Sequence, residues 1–277
     1  VLLSTDAGKT WAARDVAGAE GLDFRSVYAF SERAAYVLSS GDAAKSKLFR
    51  TVDGGLHWEL LYTSPDSFLD GLKFWDAAHG IMLGDPAGGS FVVLTTADAG
   101  KTWVRRTLPQ ALPDEGAFAA SNSSLAVHGT AEAWFGTSGA RVFHTADAGA
   151  TWTVSQTPVR HDGKSAGIFS LWFSDGQHGI AAGGDYTKWK EDAHNIALTE
   201  DGGRTWWEPA SRPAGYRSAV ACVEGVCVAT GPGGSDISGD SGRTWKPAGG
   251  PGYHALTVAG PRMYGSGPDG RLGWIAR

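Results

Sequence analysis

Apolar residues in this chain come in short runs of about four to seven, closed by Gly, Asp, Ser or Thr, and none keeps a helical period long enough to predict an α-helix. Runs at 24–30, 35–38, 47–50 and 58–61 set the pattern of four strand-like stretches and a break. It returns from 68 through 80–83, 91–94 and 103–104; at 117–127, 133–135, 142–143 and 152–154; at 168–173, 179–182, 195–198 and 206–207; and at 217–223, 226–230, 236–237 and 245–246. Residues 1–4 and 10–16 read as the last two strands of an earlier unit, and 254–258, 263–264 and 273–276 as the first three of a later one. The pattern predicts an all-β chain of four-stranded antiparallel units, in a single domain over residues 1–277.

The break between the third and fourth strand of each unit carries one phrase, S/T-x-D-x-G-x-T-W. Its aspartates are Asp6, Asp53, Asp98, Asp147, Asp201 and Asp240, spaced 47, 45, 49, 54 and 39 residues apart, and only the second copy departs, with His57 in place of Thr. That period fits one β-propeller blade per repeat. The phrase reads as a tight turn in which the carboxylate accepts hydrogen bonds from nearby backbone N–H groups and Gly supplies positive φ. A structural role for these six carboxylates is therefore expected over catalysis or metal binding. The six tryptophans that end the phrase are expected to be buried staples along the rim.

Closing the ring within one blade would give that blade two copies of the third strand, 273–276 and 1–4. Seven blades are therefore expected, one of them incomplete at the N-terminus, with residues ahead of Val1 supplying the missing strands. Six blades with a rearranged closure is the alternative.

A net charge of −5 with mixed signs and no basic stripe argues against nucleic acid as a partner. The chain has no apolar run of 18 residues, so no membrane-spanning helix is predicted. Its two cysteines, Cys222 and Cys227, flank Glu224-Gly225, and a hairpin turning there places the thiols side by side. A disulfide or two reduced thiols both fit. The disulfide would favour an oxidising compartment, and export to a periplasmic or extracellular space is the expectation. No C-x-x-C or G-x-G-x-x-G pattern is present, and no cofactor or metal is expected.

The repeated turns mark one face as scaffold, which leaves the opposite face, around the axis, as the place for a site. The polar candidates there are Arg25, Asp70, Glu115, Arg217 and His254 at the entries of innermost strands, and Asp85, Asp185, Tyr186 and Asp236 in the loops after the second strands. The longest of those loops, 183–195, is expected to overhang the face as a lid or contact loop. Phe24-Arg25-Ser26 and Tyr216-Arg217-Ser218 read as one blade position used twice, as do Gly84-Asp85 and Gly184-Asp185. For each residue alone, pairing with a neighbouring charge is the simpler expectation. His79 and His178, each before Gly-Ile, read as turn residues.

The repeated phrase resembles the Asp-box, or bacterial neuraminidase repeat, of sialidases, xyloglucan hydrolases, sortilin-like receptors and photosystem II assembly factors. Across nearly the whole chain the blade pattern, with Phe24-Arg25-Ser26, Gly84-Asp85-Pro86, Glu115-Gly116-Ala117-Phe118 and Tyr216-Arg217-Ser218, most resembles the photosystem II stability/assembly factor family and its bacterial relatives. That resemblance implies a non-enzymatic binding or assembly propeller that takes a protein or a small carbohydrate-like ligand on the face opposite the Asp-boxes. The family's arginine-rich surface maps here only onto Arg25 and Arg217.

A sialidase-like or other glycoside hydrolase is the alternative. It would draw on Arg25, Arg141, Arg160 and Arg217 with Tyr186, Tyr216, Glu115 and Asp70, or on Asp70 facing Asp85 or Asp185 as paired carboxylates. The sialidase Phe/Tyr-Arg-Ile-Pro segment is absent, since Ser26-Val27 follows Phe24-Arg25. An oxidoreductase role, attached to some relatives, ranks third because no motif in the chain explains it.

Overall fold

The protein is described from a computed structural model covering residues 1–6 and 8–275. Two very short strands, β1 (Leu2–Leu3) and β2 (Ala12–Ala13), pair only with each other. Six antiparallel sheets follow, each a meander running outward from an axis. Blade 1 contains β3 (Phe24–Ala29), β4 (Ala35–Ser39), β5 (Lys47–Thr51) and β6 (Glu59–Thr63); blade 2 contains β7 (Leu69–Phe74), β8 (Gly80–Ala87), β9 (Ser90–Thr96) and β10 (Val104–Arg105). Blade 3 is β11 (Leu125–His128), β12 (Glu132–Gly136), β13 (Arg141–Thr145) and β14 (Thr153–Gln156), and blade 4 is β15 (Ala166–Phe173), β16 (Gly179–Asp185) and β17 (Ile196–Thr199). Blade 5 is β18 (Ala219–Val223), β19 (Val226–Gly231), β20 (Gly234–Ser238) and β21 (Lys246–Pro247), and blade 6 is β22 (Ala255–Ala259), β23 (Arg262–Ser266) and β24 (Leu272–Ile275). The innermost strands β3, β7, β11, β15, β18 and β22 pack against one another in that order.

The blade count is six, the alternative rather than the favoured seven. The repeated phrase counts turns, and its first copy closes a two-stranded ribbon that supplies no inner strand to the axis. Two further expectations are corrected. In blade 3 the inner strand begins only at Leu125, in place of 117. The fourth strand of blade 4 shrinks to a single bridge, Leu198↔Trp207. The strand expected to run to Ala276 is seen through Ile275, its last residue lying outside the described ones, as Ala7 of the first repeat does.

Each repeat turn is built alike. In the third, Thr96 Oγ1 donates to Asp98, Asp98 accepts from the Thr102 N–H and hydroxyl at 2.9 and 2.7 Å, and Trp103 Nε1 donates to the Gly100 carbonyl. The Thr102 hydroxyl and then its N–H hold the Asp98 carboxyl at about 2, and the hydroxyls of Thr151 and Thr244 lead the same effect at Asp147 and Asp240. The carboxylates are thus fully used within their own turns. The tryptophans are less uniform than expected. Those of blades 2 to 5 pack onto the preceding blade, but only Trp245 is buried, and Trp11 is 46% exposed.

The core lies between blades as a series of separate layers. Corresponding positions follow from the ladders, because one residue at or next to the start of each second strand stands opposite the Ser or Thr that opens the repeat turn: Ala35↔Thr51, Gly80↔Thr96, Ala133↔Thr145, Gly179↔Thr199 and Cys227↔Ser238. In blades 2 and 4 that residue is Gly because a Phe lies over it; a Cβ at Gly80 would sit 2.6 Å from the Phe74 ring. In blade 5 the same pair is Cys222 and Cys227, joined by a disulfide. The Glu224-Gly225 turn has positive φ at both residues, as a two-residue hairpin requires, so Val223↔Val226 is the hydrogen-bonded pair and the cysteines form the closer, non-hydrogen-bonded one.

Different side chains close each gap. Between blades 1 and 2, Tyr36 meets Phe74 at 4.6 Å; between blades 3 and 4, Trp134 stacks on Phe173 at 3.9 Å. Between blades 2 and 3 the corresponding residues are Ile81 and Val127, aliphatic side chains smaller than those ring pairs. Trp75, from the turn after β7, fills the remaining space and donates its Nε1–H to the Glu132 carbonyl at 2.7 Å.

Candidate functional site

On the face away from the repeat turns, the inner strands of blades 1, 2 and 4 each carry a β-bulge near their start, at Arg25, Asp70 and Phe169. A bulge re-aims the extra side chain, and the three fates differ. Arg25 is exposed, donates to Asp23 at 2.8 Å and lies 6.0 Å from the Phe68 ring. Asp70 is only 2% exposed, and its Oδ2 has no hydrogen-bond partner. Burial, aided by the nearby Asp85 carboxylate and opposed by Arg25, pushes its carboxyl well above the usual range. Asp85 is itself raised by burial, though its Oδ1 accepts from the Ala117 N–H at 2.9 Å.

The linkage at Asp70 has a definite sign. Above about pH 4, where an unfolded aspartate has released its proton, the folded chain retains one, so stability falls as pH rises toward the folded-state pKa. Asp70→Asn is expected to stabilise the fold at pH 7 by about 1–3 kcal/mol, with the gain shrinking toward pH 4. Urea unfolding at both pH values checks this; a gain that does not depend on pH would place its origin elsewhere.

The other acidic candidates are held in pairs. Glu115 is buried against Arg141, whose Nε donates at 2.9 Å, and also accepts from the Thr137 hydroxyl. Burial opposes its ionisation, but Arg141 and Thr137 outweigh it and hold the carboxyl below its usual value. Asp236 pairs with Arg217, both side chains almost wholly buried, and Arg217 further donates to the carbonyls of Tyr216 and Ala214. Asp185 caps its own turn by accepting from the Thr187 N–H and hydroxyl. His254 is exposed at the entry to β22.

The two local sequence matches are each out of register by one residue. Ser26↔Leu38 and Ala219↔Thr230 are corresponding rungs, so Arg25 corresponds to Ser218 and Arg217 to Phe24. A one-residue offset turns a side chain to the opposite side of the sheet, which explains why Arg25 faces solvent while Arg217 is internal. Likewise Gly84 corresponds to Gly183, so Asp85 matches Gly184. His79 and His178 do serve the turns: Asp76 and Asp175 each accept from the histidine's backbone N–H and lie within hydrogen-bond reach of its Nδ1.

Of the aromatic group on this face, Tyr186 and Tyr216 were candidates from the sequence, and Phe169 and Trp189 were not. Phe169 stacks on Phe118 at 3.7 Å and meets Tyr216 and Tyr186 edge-on. The 183–195 loop carries Tyr186 and Trp189, 51% and 40% exposed, with Lys190 over the Trp189 ring at 5.0 Å. The loop is anchored: the Trp189 carbonyl accepts from the Tyr216 N–H, and Arg160 joins Glu191 to Asp162. Gly215 and Gly233 leave room for it, since a Cβ there would sit 2.3 Å from the Trp189 carbonyl and 2.7 Å from its ring. The local signal was the density of aromatic and cationic residues in the longest loop.

Six antiparallel blades, with repeat turns on one face and a mixed aromatic and charged rim on the other, define a β-propeller. No protein-family model and no curated protein matches the sequence. Among solved structures, the chain is similar to YCF48 from Cyanidioschyzon merolae, at 18% identity and a TM-score of 0.56 over 92% of this chain and 84% of that one. It is also similar to the computationally designed Ika8 protein, at 15% and 0.60 over 92% and 71%, and to the GH74 xyloglucanase from Xanthomonas campestris, at 13% and 0.54 over 99% and 55%. The chain thus spans about half of that xyloglucanase. At these identities the likeness is one of fold.

Proposed function

We propose that this chain is a non-enzymatic Asp-box propeller that holds a protein partner on the face opposite the Asp-boxes, in an exported setting consistent with the Cys222–Cys227 disulfide. The observation that carries this reading is the anchored loop presenting Tyr186 and Trp189 beside Lys188 and Lys190. Tyr and Trp are among the residues in which interface hot spots are enriched, and when already fixed and exposed they bind at little cost in ordering. The fold likeness to YCF48 is compatible with such a role.

The hydrolase alternative rests on the fold likeness to the xyloglucanase and on the Asp70–Asp85 neighbourhood. It loses support from the burial of Asp70, since a catalytic acid has to reach its substrate. A photo-reactive phenylalanine analogue at Tyr186, with one at exposed Leu56 in a repeat turn as control, tests the proposal in cells of the source organism. A discrete adduct from position 186, absent from 56 and lost in Trp189→Ala, is expected. Cleavage of xyloglucan or sialosides with no adduct at 186 would reverse the order of the two readings.

A further inference from the structure

A cleft with a volume of about 670 Å³ lies on the face of the repeat turns, between blades 4 and 5. Its origin can be traced position by position. The residues that correspond to Tyr36 and Phe74, or to Trp134 and Phe173, are here Ile180 and Cys222, and the disulfide fills far less of the gap than a phenylalanine ring. The gap between blades 2 and 3 has the same shortfall, and there Trp75 closes it. Phe74-Trp75-Asp76 in blade 2 aligns with Phe173-Ser174-Asp175 in blade 4, on the shared Asp-x-x-His turn. Blade 4 therefore has Ser174 where blade 2 has its plug, and the Ser174 hydroxyl is directed to the His178 carbonyl of its own turn.

What is left is lined by Trp172, Ile180, Leu198 and Trp207 from blade 4 and by the Cys222–Cys227 disulfide from blade 5, with the Glu200–Arg243 ion pair joining the two blades at its margin. Its size is that of a small-molecule site, and its apolar and aromatic walls with a charged margin have the usual composition of one. We propose that this cleft binds a planar aromatic group with a ring N–H, of which Trp75 in the gap between blades 2 and 3 is the built-in likeness. The site is on the opposite face from the partner surface proposed above, and the two stand or fall separately.

The test is titration of the oxidised protein with indole, and separately with the peptide Gly-Gly-Trp-Gly-Gly, followed through the Nε1–H resonances of Trp172 and Trp207. Saturable shifts confined to those two resonances are expected, with Trp189 unmoved. Ser174→Trp, which supplies the missing plug, should weaken indole binding at least about tenfold and raise the thermal midpoint. If that variant fails to fold, Ser174→Phe takes its place, and the mapping on the unaltered protein decides alone. Binding of indole without the peptide assigns a free aromatic metabolite, and comparable binding of both assigns an aromatic side chain of a partner; either upholds the cleft as a site. Failure of both to saturate, or shifts spread over the exposed tryptophans, makes the cleft a hydrated seam and overturns the proposal.

Discussion

Asp236→Ala is expected to destabilise the fold by about 3–5 kcal/mol, because it leaves the Arg217 guanidinium charged and almost fully buried without its counterion. The carbonyls of Tyr216 and Ala214 would still accept from Arg217, but neutral acceptors do not replace a carboxylate. Arg217→Met/Asp236→Leu, which removes both charges, should recover most of the loss, since the pair itself repays little more than its desolvation. Urea unfolding of the single and double variants measures both quantities. A single variant within about 1 kcal/mol of the parent would mean that water reaches the guanidinium, contrary to its burial.

Trp134→Ala is expected to cost a similar amount, about 3–5 kcal/mol. Trp134 is fully buried between the ring of Phe173 at 3.9 Å and that of His144 at 4.8 Å, and its Nε1 donates to the Gly202 carbonyl at 2.8 Å. Truncation removes the filling of the gap between blades 3 and 4 and leaves that carbonyl without its donor. Trp134→Phe should keep most of the packing and lose about 1–3 kcal/mol. Trp11→Ala, at a half-exposed position, should stay within about 0.5 kcal/mol of the parent. Equal losses at Trp11 and Trp134 would refute the view that the stability of this chain lies in its inter-blade layers.

The repeat turns were legible because each is a local device: donor, acceptor and glycine all fall within eight residues, so Asp53 and Asp147 declare their roles without reference to the rest of the chain. The strands and the cysteine hairpin were legible for the same reason. The blade count was not, because the turn between Ser4 and Trp11 looks the same whether or not inner strands precede it. Arg217 was misplaced because aromatic-Arg-Ser sits one rung differently along the ladder in blades 1 and 5, an offset that the matching tripeptides conceal. Asp70, Glu115 and Asp236 are plainly polar in the sequence, and only the packing of adjacent blades makes them internal. Ser174 gave no signal at all, since its meaning is the absence of Trp75's ring from the corresponding gap.

Each gap between blades is lined by its own set of side chains, so the six blades form a chain of nearly independent joints. Energetic effects of substitutions at different joints should add, as they do for sites that share no partners, and a change in one joint needs no answering change in the next. Such a molecule can alter its chemistry one joint at a time, as between blades 4 and 5, where a disulfide stands in place of a ring and the plug is absent, while the remaining joints stay packed.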